Sequence, residues 1–112
     1  MLMANGGITS AGAVATSAPN TQTGATYTVG STETSIIANR AGTITLTLSA
    51  AASATGRVLI VRTIQAQMVV SASSNVVPLV GGSAGTAILA ATAGKWAMLQ
   101  SDGSNWQIMM GN

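Results

Sequence analysis

The sequence has 112 residues, of which 5% are charged, and it contains neither cysteine nor histidine. This length fits a single domain with a modest core. The missing residue types exclude disulfides, thiol chemistry, the usual zinc sites and any triad that uses imidazole. The net charge of +2 is spread along the chain. Neither a nucleic-acid surface nor a membrane surface is therefore predicted.

The scarcity of charge bears on the surface as well as on chemistry. A soluble domain normally has charged groups at about a quarter of its positions. Here Ser, Thr, Asn and Gln would have to keep the surface hydrated. We therefore expect much of the surface to be covered by further copies of the chain or by a larger assembly. A monomer with a hydroxyl-rich surface is the alternative.

Residues 1–24 consist almost wholly of Gly, Ala, Ser, Thr and Asn, with one proline at Pro19. Such a segment has too little apolar surface to order itself. It predicts an extended or flexible N-terminal arm, which is either a disordered tail or a segment that orders on a neighbour. Residues 25–112 are predicted to form the folded domain.

Short β-prone runs follow the arm. The clearest is Thr43–Leu48, whose alternation predicts a strand with Ile44, Leu46 and Leu48 on a buried face. Ser49–Gly56 could hold one helical turn. The other runs are Thr26–Val29, Thr34–Ile37, Gln67–Ser71, Val76–Val80 and Thr86–Ala90.

Two of these segments have a more specific prediction. Arg57–Arg62 is a continuous apolar run between two arginines, which predicts a strand buried on both faces with both guanidinium groups in water. Pro78 cannot donate a hydrogen bond to a neighbouring strand, so its segment is an edge strand or an extended loop.

The chain ends in a predicted β-hairpin, Lys95–Met110, with Asp102-Gly103 at its turn. Each strand of the hairpin opens on a tryptophan, Trp96 or Trp106. We expect both to be core residues that close the domain. The alternative is a sugar-stacking platform formed by the two tryptophans and Tyr27.

Turn residues recur every 8 to 12 positions and no helix is convincing. This pattern predicts an all-β fold, a sandwich or jelly roll of about eight short antiparallel strands.

No catalytic, cofactor or metal residue is predicted, and we do not expect an enzyme. The only carboxylates, Glu33 and Asp102, both lie in predicted turns. Lys95 is interpreted as a solvated residue at a strand entry. The Gly81–Gly85 segment lacks the Lys-Ser/Thr and the helix of a phosphate loop. The adjacent Met109 and Met110 are interpreted as core filler rather than as a soft-metal site.

Several stretches resemble a β-domain of structural proteins of tailed bacteriophages. They are Asn39–Leu48, Thr55–Arg57, Gly94–Ala97 and Leu99–Met109, and the most specific part is Ser101–Trp106. The resemblance covers residues 26–112, and similar modules end tail fibres and spikes or occur in small virion and head-decoration proteins.

The resemblance implies a homotrimeric virion protein without catalysis or cofactor. The short chain favours a capsid-decorating, cement or short head-fibre protein that binds the major capsid protein or another virion protein through residues 1–24. The alternative is a tail fibre component or a tip domain that binds a receptor or a host surface glycan.

Overall fold

The computed structural model describes residues 18–112, which form ten β-strands, one 3-10 turn and no α-helix. The 3-10 turn, Ala51–Ser53, occupies the alanine-rich segment predicted to hold one helical turn. The strands are β1 (Asn20–Gln22), β2 (Thr26–Thr28), β3 (Ser35–Ala38), β4 (Ile44–Thr47), β5 (Val58–Thr63), β6 (Val69–Ser71), β7 (Val76–Val77), β8 (Ala87–Leu89), β9 (Trp96–Ser101) and β10 (Trp106–Gly111).

The strands form two sheets, which confirms the all-β class. The order is β1-β3-β5-β9-β10-β7 in the six-stranded sheet and β2-β4-β6-β8 in the four-stranded sheet. The first six strands thus alternate between the sheets, and each of the first four, β1 to β4, pairs in parallel with the strand two positions further along the chain. The N-terminal part of the domain therefore winds as a two-sheet coil.

The predicted antiparallel arrangement is wrong for this coil, and also for the parallel β7–β10 pair. Only β5–β9, β9–β10 and β6–β8 are antiparallel. The physical reason is that each early connection leads to the opposite sheet, so the next strand of the same sheet follows a long crossover and can lie parallel, whereas a tight turn joins only antiparallel neighbours. Such a turn joins β9 to β10, and the predicted C-terminal hairpin is confirmed.

One hydrophobic core contains residues of both sheets. Ile44 and Leu46 are fully buried and Leu48 is nearly so, which confirms the buried face predicted for Thr43–Leu48. The remaining large members include Ile36, Leu59, Val61, Val69, Val76, Ile88, Leu89, Leu99 and Trp106.

Strand β5 is buried on one face only. Leu59, Val61 and Thr63 are fully buried, whereas Val58 and Ile60 are 36% and 43% exposed. The prediction of burial on both faces is wrong because nothing among the described residues covers the outer side of the six-stranded sheet.

Arg57 is tied to the loop before β3. Its guanidinium donates hydrogen bonds to the carbonyl oxygens of Gly30 and Glu33, and to Ser49 Oγ at 3.2 Å. The expectation that both arginine heads reach water thus holds for exposed Arg62 but not for half-buried Arg57.

Strand β1 lies inside the segment predicted as an arm. Asn20–Gln22 pair in parallel with Ile36–Ala38 at the edge of the six-stranded sheet. The boundary at residue 25 is therefore corrected, since the folded domain already includes β1. Residues 1–17 of the predicted arm lie outside the described residues.

Candidate binding surface

The two tryptophans occupy different environments. Trp106 is 1% exposed, and its indole Nε1 donates a hydrogen bond of 2.9 Å to the carbonyl oxygen of Ser49. Trp96 is 37% exposed. The core prediction is therefore confirmed for Trp106 and wrong for Trp96.

The register of the hairpin explains the difference. Trp106 pairs with Ser101 next to the turn, and both are buried. Trp96 lies at the other end of β9, where it pairs with Arg62 of β5. Because side chains alternate along a strand, Trp96 points away from the face on which Ala97 and Ser101 are buried. Each tryptophan opens its own strand, so the two lie at opposite ends of the hairpin.

Trp96 belongs to an apolar outer face of the six-stranded sheet. Ile60 pairs with Ser35 on one side and Met98 on the other, and Arg62 pairs with Ile37 and Trp96. Here "outer face" means the group of neighbouring side chains Ile37, Val58, Ile60, Arg62, Trp96 and Met98.

A groove of about 430 Å³ lies on the outer face, and we call it the Trp96 groove. Its mainly apolar walls include Pro19, Ile37, Ile60, Gly94 and Trp96. Arg62 contributes the one charged side chain of the lining.

Met109 and Met110 are also exposed, at 50% and 49%, so their interpretation as core filler is wrong. The register shifts between Ile108 and Met110, which inserts Met109 as the extra residue of a β-bulge. A bulge changes which side chains point inward. Simple alternation across Trp106–Met110 could not have shown this.

Tyr27 takes part in a separate polar cluster. Its hydroxyl donates to Glu33 Oε1, and Asn20 Nδ2 donates to the Tyr27 hydroxyl at 2.7 Å. The hydrogen bond to Glu33, together with desolvation, raises the pKa of Tyr27 above its ordinary value. With Trp106 in the core and Tyr27 bonded to Glu33, the three aromatic residues do not form one platform.

Asp102 serves the hairpin turn, as the sequence predicted. Its Oδ1 accepts backbone N–H bonds of 2.8 Å from Ser104 and Asn105, and its Oδ2 accepts one of 2.9 Å from Gln107 Nε2. These bonds, the one from Asn105 first, lower the pKa of Asp102 from 3.8 to about 2. Such a carboxylate is held ionised for structural reasons.

The two remaining candidate segments have structural roles. The Lys95 backbone N–H donates to Thr63 Oγ1 at 3.1 Å, which fixes the entry into β9. Gly81 and Gly82 adopt positive φ angles in a turn, as glycine permits. The described residues include no group of three or more His, Cys, Asp or Glu side chains arranged to hold a metal ion. Residues 18–112 also contain no helix long and apolar enough to cross a membrane.

Comparison with known proteins found no matching family model, no similar curated protein and no similar solved structure.

Proposed function

We propose that the protein is a non-enzymatic structural component of a tailed-bacteriophage particle that works as a homotrimer. In this proposal it decorates the capsid as a cement protein or forms a short head fibre. Its partners are further copies of itself and the major capsid protein or another virion protein, and it is located in the virion. The resemblance centred on Ser101–Trp106 supports the phage assignment.

The observation that carries the self-association is the apolar outer face. Val58, Ile60 and Trp96 are between 36% and 43% exposed on neighbouring strands, so they form one contiguous patch rather than scattered side chains. Patches of this kind are typical of interaction sites. The sparse charge of the chain fits a domain whose surface is largely covered by protein.

The self-association is tested by light scattering on the purified protein. At micromolar concentration we expect about three times the chain mass of 11.0 kDa. A monomer at that concentration would contradict the homotrimer.

The virion assignment needs its own experiment. Particles of a tailed phage that carries the gene are purified from a bacterial lysate on a density gradient and analysed by mass spectrometry. We expect the chain to sediment with the particles in a fixed ratio to the major capsid protein. A chain found only among unassembled proteins would contradict the assignment.

The proposed attachment site lies ahead of β1. A variant that begins at Ala18 is expected to keep the trimer mass, because it retains every described strand. It should no longer sediment with particles that bind the full chain. Undiminished sedimentation of this variant would place the attachment elsewhere.

The second candidate is a receptor- or glycan-binding tip domain of a tail fibre, which exposed Trp96 favours because indole faces stack on sugars. The test is a fluorescence titration with purified host surface polysaccharide. If the glycan binds at Trp96, the polysaccharide should change the tryptophan fluorescence of the wild type. Trp96→Ala should abolish this change, and Tyr27→Phe should retain it. An unchanged wild-type spectrum would reject this candidate.

A further inference from the structure

The loop between β7 and β8 carries an exposed apolar turn. The Gly81 N–H donates a hydrogen bond of 2.8 Å to the carbonyl oxygen of Pro78, which places Leu79 and Val80 at the two corners of a β-turn. Leu79 is 53% exposed and Val80 is 95% exposed. Turn corners are usually occupied by Gly, Pro, Asn, Asp or Ser. Two large aliphatic residues at such corners need an explanation beyond the local fold.

A three-membered ring requires two different patches that fit each other. A two-fold dimer uses one patch twice, whereas a cyclic trimer joins one patch of each copy to another patch of the next. The described surface offers a convex apolar patch at Leu79–Val80 and a concave one at the Trp96 groove. At about 430 Å³, the Trp96 groove has room for two aliphatic side chains, because a cavity of about 150 Å³ already holds a benzene-sized molecule.

The charges of the two patches are compatible. No charged residue lies between Arg62 and Lys95 in the sequence, so the turn is neutral. Among the described residues, neither the Leu79 nor the Val80 carbonyl accepts a backbone hydrogen bond. The guanidinium of Arg62 at the groove supplies donors for such carbonyl groups.

The two patches lie side by side. Trp96 lines the groove and also a second cavity of about 190 Å³, whose other walls include Pro78, Leu79 and Val80. Contacts between two different patches build a closed ring when the rotation from one copy to the next closes, and an open filament when it does not.

We propose that the Pro78–Gly81 turn of one copy inserts Leu79 and Val80 into the Trp96 groove of the next copy. This rests on the proposed homotrimer and names the two surfaces that form it. The contact covers the outer face of β5 and β9 and brings the turn carbonyls to Arg62.

The test compares two charges at the tip of the turn by native mass spectrometry and light scattering. Val80→Lys brings a positive charge to Arg62 and is expected to weaken self-association about tenfold or more. Val80→Glu places a carboxylate at the same point, so the trimer should persist and become sensitive to salt. Met68→Lys changes a residue that is 45% exposed but lines neither cavity, and it should leave the trimer unchanged.

Mixing two defective variants identifies a head-to-tail contact. Ile60→Lys should disrupt the groove as Val80→Lys disrupts the turn, and the two variants are mixed at a concentration at which each alone is monomeric. An equal mixture retains one intact turn and one intact groove, so we expect a dimer containing one chain of each kind. Circular dichroism that matches the wild type verifies that both variants fold.

Three results would overturn the inference while leaving the homotrimer intact. They are a Val80→Lys trimer as stable as the wild type, equal losses from Val80→Lys and Val80→Glu, and a mixture that stays monomeric. A monomeric wild type would instead overturn the homotrimer and this contact together.

Discussion

The inner and outer faces of the six-stranded sheet have similar composition and different surroundings. On β5, Leu59 and Val61 are fully buried in the core, whereas Val58 and Ile60, which alternate with them, are each more than a third exposed. The adjacent strand β9 repeats this pattern, with Leu99 buried and Trp96 exposed. Hydrophobicity along a strand therefore does not distinguish a side chain that holds the fold from one available to a partner.

The largest effect should separate the two tryptophans. Trp106→Ala empties a site in the core and removes the donor to the Ser49 carbonyl, so it should lower the free energy of unfolding by about 3–5 kcal/mol. Trp96→Ala changes the outer face and should cost the monomer less than about 1 kcal/mol. Urea unfolding at a protein concentration where both variants are monomeric gives the two values. Equal losses of unfolding free energy in the two variants would contradict the conclusion that only the inner face stabilises the monomer.

Two neighbouring residues of β5 sharpen the same comparison. Leu59→Ala should lower the free energy of unfolding by about 2–5 kcal/mol, because Leu59 is fully buried. Ile60→Ala removes a side chain that is 43% exposed and should cost the monomer only a fraction of that. For self-association the order should reverse, with Ile60→Ala weakening the trimer more than the fold. Urea unfolding of the two variants measures the stability losses, and light scattering on the same samples measures the trimer. A result in which Ile60→Ala destabilises the fold as much as Leu59→Ala, or leaves the trimer unchanged, would contradict the prediction.

The arginines next to and within β5 extend the comparison from apolar to charged groups. Arg57 donates to the Gly30 and Glu33 carbonyls, so Arg57→Ala should lower the free energy of unfolding by about 1–3 kcal/mol. Arg62→Ala removes an exposed side chain and should leave the monomer within about 0.5 kcal/mol of the wild type. Thermal unfolding in matched buffers measures both. A larger loss from Arg62→Ala would mean that the outer arginine has a structural role.

These pairs show what the sequence could and could not provide. The alternation of Thr43–Leu48 and the turn at Asp102-Gly103 are local patterns, and both were predicted correctly. The parallel coil depends on which sheet each connection reaches, and no short-range pattern records that choice. The position of Trp96 depends on hairpin register, and the burial of Val58 and Ile60 depends on whether anything covers the sheet. Both are long-range properties.

The structural role of Arg57 was also missed, although its location beside β5 was clear. Two of its partners are backbone carbonyl groups 24 and 27 residues away, and every residue type has such a carbonyl, so the sequence does not mark them. The apolar turn at Leu79 and Val80, in contrast, can be recognised from the sequence as an unusual surface feature. Large aliphatic residues between Pro78 and Gly81 contradict ordinary turn composition, and such local conflicts tend to mark functional positions.

The smallest expected effect on stability concerns Asp102, which lies in the turn between β9 and β10 and belongs to neither face of the sheet. Its folded pKa of about 2 lies below the ordinary 3.8, so its contribution to stability is present above pH 4 and is lost as the pH falls towards 2. Asp102→Asn retains an amide oxygen as acceptor but lacks the ionised form that the N–H donors of Ser104 and Asn105 stabilise. The variant should therefore be less stable than the wild type at pH 6, and the difference should vanish near pH 2. Urea unfolding across this range measures the difference, and a value independent of pH would show that the charge of Asp102 does not stabilise the turn.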